Sequence, residues 1–350
     1  MAKTFKNLYP QIYDYENLYR AYLKARTSKQ EKPDVLRFTN NLEEELIQLQ
    51  NELIWHEYQL GEYRCFEDPG PPVRQIAALP FRDRVIQHAV VNVIEPIWEA
   101  RFVYDSYACR KNRGSVAAVY RVQDFLKKCQ RDEGRVYVFQ SDIKSYFNSI
   151  RHTLIKGLLA NRIACKETLQ LLNLIIDSSV ELFGVPCGIP KGSLTSQLIA
   201  NIILHELDEF IKYELRERHY VRYMDDFVVI TGSKQHAQDV RKTVAGFLDT
   251  DLHLAIHPKK TKVFPVRPVF GQPVNFCGYR IWPTHIEPRK KNTRAARKRL
   301  RTVAMKYSRG LVTLKDATAR VMSFLGYMKH CNGYRTTCAV LDELVLKRKN

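Results

Sequence analysis

Arg222-Tyr-Met-Asp-Asp-Phe-Val-Val-Ile230 sets two acidic residues, Asp225 and Asp226, between apolar runs that each read as a β-strand. Two like charges at a hairpin tip cost free energy unless cations neutralise them, so a divalent-metal site is the economical explanation. Hard oxygen ligands suit Mg²⁺. Upstream, Gln140-Ser-Asp-Ile-Lys-Ser-Tyr-Phe147 ends another strand on Asp142 and follows it with the aromatic pair Tyr146 and Phe147. Alone, Asp142 reads as a turn or cap residue; beside the Asp225-Asp226 hairpin it becomes a third carboxylate. Two metals about 3.5–4 Å apart on such a set activate a 3′-hydroxyl and stabilise a leaving pyrophosphate during in-line displacement.

Working outward, residues 136–142 alternate towards their carboxylate as a strand does, and residues 221–231 and 274–282 also read as strands. Gly184-Val-Pro-Cys-Gly-Ile-Pro-Lys-Gly192 is a rigid loop running into an apolar helix over 193–215, and the exposed amides of a helix start favour anions. Residues 17–55 follow helical spacing with a polar interruption at 27–33. Short strands at 63–66 and 73–76 flank the tight Pro69-Gly70-Pro71-Pro72 loop and present Arg74. Residues 81–100, 114–129 and 154–176 read as helices, as does everything beyond Pro288. No internal repeat is found.

The 350 residues carry 56 Lys plus Arg against 37 Asp plus Glu, a formal charge of +19, which points to a polyanionic partner. The charge clusters: Arg289, Lys290, Lys291, Arg294, Arg297, Lys298, Arg299, Arg301 and Lys306 surround Ala296, Leu300 and Val303 at helical spacing. The eight cysteines include no C-x-x-C pair and read as reduced core residues, against both a zinc site and a disulfide scaffold. The N-terminus lacks a hydrophobic signal core and no apolar run approaches the ~18 residues of a membrane span, so a cytoplasmic location without membrane contact is expected.

Tyr223-Met-Asp-Asp226 resembles the palm motif of reverse transcriptases, Asp142 to Phe147 their first metal motif, and Asn275-Phe-Cys-Gly-Tyr-Arg280 their primer-grip strand. The similarity extends from about Tyr63 to Tyr334. Ala78-Leu-Pro-Phe-Arg-Asp-Arg-Val-Ile-Gln-His-Ala89, Tyr104-Asp-Ser-Tyr-Ala-Cys-Arg110 and Gly192-Ser-Leu-Thr-Ser-Gln197 resemble in particular the reverse transcriptases of diversity-generating retroelements. The resemblance implies an α+β right-hand polymerase: an N-terminal helical extension and fingers over 1–60, fingers and an antiparallel palm sheet over 61–285, and a basic helical thumb over 286–350.

It also implies roles. Asp142, Ile143, Asp225 and Asp226 make up the metal site, for two Mg²⁺ with Mn²⁺ as the alternative. Phe147, next to Tyr146, sits under the sugar as steric gate against a 2′-hydroxyl. Arg74, with Arg82 or Arg84, holds the dNTP triphosphate. Lys260 in His257-Pro-Lys-Lys-Thr261 is the candidate proton donor to pyrophosphate, with Lys259 and Lys262 competing. Lys191, Gly192 and Gln197 belong to the nucleotide pocket, and Lys191 stands where the wider class often has Gln, which bears on fidelity at template adenines. His88, His152 and His205 read as core or surface histidines and Trp98 and Trp282 as packing residues. Tyr104, Tyr107 and Arg110 either contact template or lock a loop.

The expected partners are a template RNA, the cDNA or primer strand, and a small basic accessory protein that oligomerises, in a bacterial or phage-encoded system. Two alternatives stand beside this reading. A group II intron maturase or retron polymerase carries other surroundings: the stretch beyond Tyr334 is short for a nuclease domain, and a retron-type Asn-Ala-x-x-His element is not found. A non-catalytic RNA-binding scaffold of the same fold has no need of intact Asp142, Asp225 and Asp226.

Overall fold

Local periodicity builds the N-terminal third from helices α1 (Tyr9–Tyr13), α2 (Tyr15–Ala25), α3 (Pro33–Asn40) and α4 (Leu42–Ile54), then strands β1 (Arg64–Asp68) and β2 (Arg74–Ala78). Helices α5 (Phe81–Glu99) and α6 (Ser115–Glu133) lead to β3 (Tyr137–Asp142), α7 (Tyr146–Ser149), α8 (His152–Ala160), α9 (Lys166–Asp177), α10 (Val180–Phe183) and α11 (Leu194–Glu209). A π-helical turn, Phe210–Glu214, precedes β4 (Tyr220–Tyr223), β5 (Asp226–Thr231), α12 (Lys234–Thr250), β6 (Lys262–Pro265), β7 (Val274–Phe276), β8 (Tyr279–Ile281) and β9 (Ile286–Pro288). Helices α13 (Lys290–Ser308), α14 (Leu314–Met328) and α15 (Tyr334–Leu341) complete the chain. This computed structural model describes residues 4–68 and 74–348, and the loop expected at Pro69 to Pro72 lies outside the described residues. The fold is α+β, with antiparallel sheets throughout.

The chain forms two compact units, the first drawn from Met1–Tyr104, Ile143–Glu214 and Val244–Pro258. In it α2 is fastened to α5 by the buried Asn17, whose Nδ2 donates to the Ile12 and Ala89 carbonyls at 3.1 Å each. Tyr22, Phe38 and Phe81 stack and cross edge-to-face at 5.2–6.2 Å between centroids, tying α2, α3 and α5. Helix α11 is buried on nearly every side, from Thr195 to Asp208, as an all-round apolar helix must be.

The helix expected over 154–176 is broken at residues 161–165. Phe5 causes the break: its N–H donates to the Arg162 carbonyl and its carbonyl accepts from Ala164, both at 2.8 Å, diverting the backbone into an isolated parallel bridge. A partner so far away in sequence leaves no mark on local periodicity.

The second unit comprises Asp105–Asp142, Leu215–Thr243 and Lys259–Asn350. Its main sheet has strand order β4-β5-β3-β6, and α6 covers one face, with Val122 and Leu126 packed among Val138, Val228 and Ile230. The strand expected over 274–282 is instead a hairpin, β7 and β8, within a three-stranded sheet completed by β9. Its two turn residues, Cys277 at φ +46° and Gly278 at φ +88°, both take the left-handed conformation of the tightest hairpin turns. A Cβ on Gly278 would meet Asn292 Nδ2 at 3.0 Å. The Tyr327 hydroxyl donates to the Gly278 carbonyl at 2.7 Å, binding α14 to this hairpin. Helices α13 to α15 share a small core of Leu300, Phe324, Met328 and Val340.

All eight cysteines are free, but Cys65 and Cys109 are exposed, which corrects the expectation of eight core residues. Among the described residues no helix is long and apolar enough to cross a membrane.

Candidate active site

Asp142 ends β3 and Asp226 begins β5, and antiparallel register makes them direct cross-strand partners. Cross-strand neighbours lie about 4.5–5.5 Å apart at Cβ, so these like charges need compensation. Lys260 supplies part of it: its Nζ is 2.8 Å from both Asp142 oxygens. Gln140 supplies another part, its Nε2 donating to Asp226 Oδ1 at 3.3 Å and to the Asn275 carbonyl at 2.8 Å. Burial nevertheless pushes the Asp226 carboxyl up to about 7; the Gln140 hydrogen bond and the Lys260 charge oppose the rise, and the charges of Asp142 and Asp225 add to it. A cavity of about 400 Å³ opens onto this pair, lined also by Lys259, Lys262 and Arg289. Of the three competing lysines, Lys260 bonds Asp142 through both carboxylate oxygens.

Asp225 occupies the two-residue turn between β4 and β5, after Met224, which is held at φ +54°. A non-glycine residue rarely adopts that conformation, and such strain collects at functional turns. The turn is anchored from below by Arg222, fully buried, whose guanidinium donates to the Met224 carbonyl at 3.1 Å and to Ser106 Oγ at 2.9 Å. The Arg222 backbone pairs with Asp105 and Tyr107 at 2.9 and 3.0 Å. Tyr107 and Arg110 are buried, Arg110 donating to the Ser106 carbonyl at 2.8 Å, and Tyr104 is exposed. Within the motif, Asp105, Ser106 and Tyr107 therefore anchor Arg222 beneath the acidic turn.

Asp142 and Asp226 are hard oxygen donors on adjacent strands and fit a divalent cation. Among the described residues, however, no group of three His, Cys, Asp or Glu side chains is arranged to hold a metal ion. Asp225 stands in the neighbouring turn, and Lys260 occupies both oxygens of Asp142. Ile143 is buried, its backbone bridged to Ile256.

The first unit carries the residues singled out for the nucleotide pocket. Tyr146 is buried and donates its hydroxyl to the Ala200 carbonyl at 2.6 Å, pinning α7 to α11. Half-buried Phe147 crosses the Tyr146 ring at 5.6 Å and 69°. The Gly/Pro loop is laced to this turn: the Ile189 N–H donates to the Phe147 carbonyl at 2.8 Å and the Gly188 N–H to the Ile150 carbonyl at 2.7 Å. Buried His152 closes the arrangement, with Nε2 2.9 Å from the Gly188 carbonyl and 3.1 Å from Ser179 Oγ. It is a core histidine, as expected, and it holds the loop through the Gly188 carbonyl. Gly192 sits at φ +105°, and a Cβ there would come within 3.3 Å of Ile76 Cγ2. Lys191 is exposed and Gln197 half-buried in the first turn of α11, which Ser193 caps.

Arg82 and Arg84 have protein partners: Arg82 pairs with Glu52 at 2.5 Å and Arg84 with Asp34. Between them Asp83 is fully buried and accepts from the Tyr58 hydroxyl at 2.7 Å and the Gly61 N–H at 3.3 Å. These contacts join α5 to the N-terminal helices. Arg74 opens β2; its side chain lies outside the described residues. Sequence reasoning gave no role to Gln140 or Arg222, and no partner to His152. A lone Arg inside the apolar run Tyr220-Val-Arg-Tyr223 was the available signal for the second of these.

The family profile described as reverse transcriptase (RNA-dependent DNA polymerase) matches residues 68–327. The chain belongs to the reverse transcriptase family. It is 30% identical to protein YkfC of Escherichia coli K12 over 275 residues, covering 68% of this chain and 71% of that protein. It is 26% identical to the group II intron-encoded protein LtrA of Lactococcus lactis over 276 residues, 60% of this chain and 44% of LtrA. A putative COX1/OXI3 intron 2 protein of Saccharomyces cerevisiae is 20% identical over 268 residues, and the match spans 30% of it. The chain thus spans less than half the length of these two intron-encoded relatives. As a reverse transcriptase it is an RNA-directed DNA polymerase that binds template RNA and primer, and enzymes of this family use divalent metal ions.

Proposed function

We propose that this reverse transcriptase makes cDNA from the template RNA of a diversity-generating retroelement, with two Mg²⁺ and dNTP substrates. The observation that carries the polymerase chemistry is the pairing of Asp142 with Asp226 across adjacent strands beside the Asp225 turn. Bound there, divalent ions supply charge stabilisation for the attacking 3′-oxygen and the leaving pyrophosphate. Gln140 orients Asp226, and Lys260 holds the proton that passes to pyrophosphate. The right-hand reading assigns fingers to residues 1–60 and the β1–β2 hairpin, the palm to the remainder up to 285 and the thumb to 286–350. The retroelement reading rests on the Ala78 to Ala89, Tyr104 to Arg110 and Gly192 to Gln197 motifs, and brings with it a small basic accessory oligomer and a cytoplasmic setting. The likeness to intron-encoded proteins favours an intron-type enzyme as the second reading.

Fidelity separates the two. The flexible, charged side chain of Lys191 constrains a nascent base pair less than a planar Gln amide, and each ~1.4 kcal/mol of lost discrimination raises misincorporation tenfold. Error-prone copying is expected, worst at template adenines, with a fidelity gain in Lys191→Gln. Sequencing cDNA copied from one defined RNA by both proteins decides it; low, base-independent error in the wild type leaves a polymerase of the intron type.

Phe147→Ala is expected to admit ribonucleotides roughly tenfold more readily, since ~1.4 kcal/mol is a modest share of a steric clash with the 2′-hydroxyl. Single-nucleotide incorporation of dNTP against rNTP measures it, and unchanged discrimination assigns the gate to another residue.

Helix α13 is the proposed duplex-binding face, with Arg294, Lys298 and Arg299 exposed. Glu343, beyond α15, engages Arg297 and, at 2.7 Å, Arg301. Such surface pairs contribute ~0–1 kcal/mol and open readily. Glu343→Gln should therefore tighten template-primer binding and steepen its log–log salt dependence by about 0.9 for each guanidinium that reaches a phosphate. A titration over a salt series that gives an unchanged slope would turn this helix face away from nucleic acid.

A further inference from the structure

A second cavity, of about 650 Å³, lies in the same unit as the carboxylates but at the other end of β3, where Tyr137 forms part of its wall. Five residue steps separate Tyr137 from Asp142, about 16 Å of extended strand. The two cavities share no lining residue. The volume falls within the ~300–1,000 Å³ usual for small-ligand sites.

Its wall is chemically divided. One part is aromatic: the Trp282 and His285 rings stack with centroids 6.1 Å apart at 21°. The shelf is held in place by the Trp282 N–H donating to the His285 carbonyl at 2.9 Å and by Gln123 Nε2 donating to the Trp282 carbonyl at 3.4 Å. The other part is cationic: Arg135 precedes β3 and Arg267 follows β6, both exposed. Among the described residues no carboxylate pairs with either guanidinium, whereas Arg121, Arg280 and Arg301 of the same unit each have an acidic partner. Glu287, the acidic residue on this wall, is neutralised by Arg280 at 2.8 Å and lies 3.3 Å from His285 Nε2.

A flat π face beside two guanidiniums that lack a carboxylate partner, Arg267 donating only its Nε to the Phe270 carbonyl at 3.4 Å, matches one chemical unit: an aromatic base with its phosphate. An acidic peptide would satisfy the arginines and leave the aromatic shelf unused, and a duplex keeps its bases stacked and out of reach. We infer that this cleft is a second, non-catalytic nucleic-acid site that takes one unpaired nucleotide of a single strand, its base on Trp282 and His285 and its phosphate on Arg135 and Arg267. Stacking with electrostatic contact is the general mode of single-strand recognition. That the strand is the template RNA rests on the RNA-copying reading; the cleft then anchors an unpaired stretch of the template away from the site of synthesis.

The full-length protein is photo-crosslinked to a 4-thiouridine-substituted single-stranded RNA and the modified peptides are identified by mass spectrometry. The expected crosslink maps to the peptide spanning Trp282 to His285, and duplex RNA fails to compete for it. His285→Ala weakens binding of a short single strand about tenfold, the loss typical of a base-stacking ring. The Arg135→Ala/Arg267→Ala variant lowers the log–log salt slope by about 1.4, two contacts at about 0.7 each on a single strand. Both variants extend a primer already annealed to a short RNA at the wild-type rate. Crosslinks confined to other peptides, competition by duplex, or an unchanged salt slope would overturn the cleft. A wild-type protein that crosslinks at Trp282 to His285 yet extends no primer would overturn the polymerase reading and leave the cleft standing.

Discussion

Asp225→Ala/Asp226→Ala lowers nucleotide incorporation by roughly 10³-fold or more, because bound metals contribute several kcal/mol of transition-state charge stabilisation. RNA binding survives, since the carboxylates repel phosphate and hold no template. The acidic turn is a two-residue connection between β4 and β5, so shortening its side chains leaves the ladder from Tyr220↔Val229 to Tyr223↔Asp226 intact. Asp226→Asn is the sharper form, because it keeps the side-chain volume beside Gln140 and removes the charge. Incorporation rates read with RNA affinity separate the two effects, and retained incorporation in the double variant would sink the mechanism.

Arg222→Ala is expected to produce the largest loss of stability. Among the described residues Arg222 heads the largest fully buried side chains, and its removal opens a cavity while leaving the Met224 carbonyl and Ser106 Oγ without their donor. Cavity and unsatisfied acceptors together cost about 3–5 kcal/mol. At 2–4 °C per kcal/mol for a chain of this class, the melting temperature falls by roughly 10 °C. Arg222→Lys retains charge without the fork of donors and loses part of that stability. A thermal melt of Arg222→Ala indistinguishable from wild type would remove Arg222 as the anchor of the turn.

The acidic residues were legible because carboxylates inside apolar strand patterns have few structural explanations, and their spacing already implied a hairpin. What surrounds them was less so, for reasons of distance. Arg222 meets Ser106 across 116 residues and Lys260 meets Asp142 across 118, separations that no periodicity encodes. The family resemblance gives Arg82 or Arg84, with Arg74, to the triphosphate, and no local pattern announces that Glu52 and Asp34, 30 and 50 residues away, engage these two arginines. The β7–β8 hairpin was taken for one strand because its turn is only Cys277 and Gly278, between apolar residues that alternate on either side. Helix α12 passed unread although Ala237, Val240, Val244 and Leu248 fall at three- and four-residue intervals and are buried.

Extension of a DNA primer annealed to a defined RNA, with Mg²⁺ and dNTPs and without other proteins, is the most direct test of RNA-templated synthesis by this chain. Template-length cDNA whose sequence follows the RNA, absent in Asp225→Ala/Asp226→Ala and in chelator, is the predicted result. Protein that binds the template-primer with Mg²⁺ present yet adds no nucleotide to it would contradict the account.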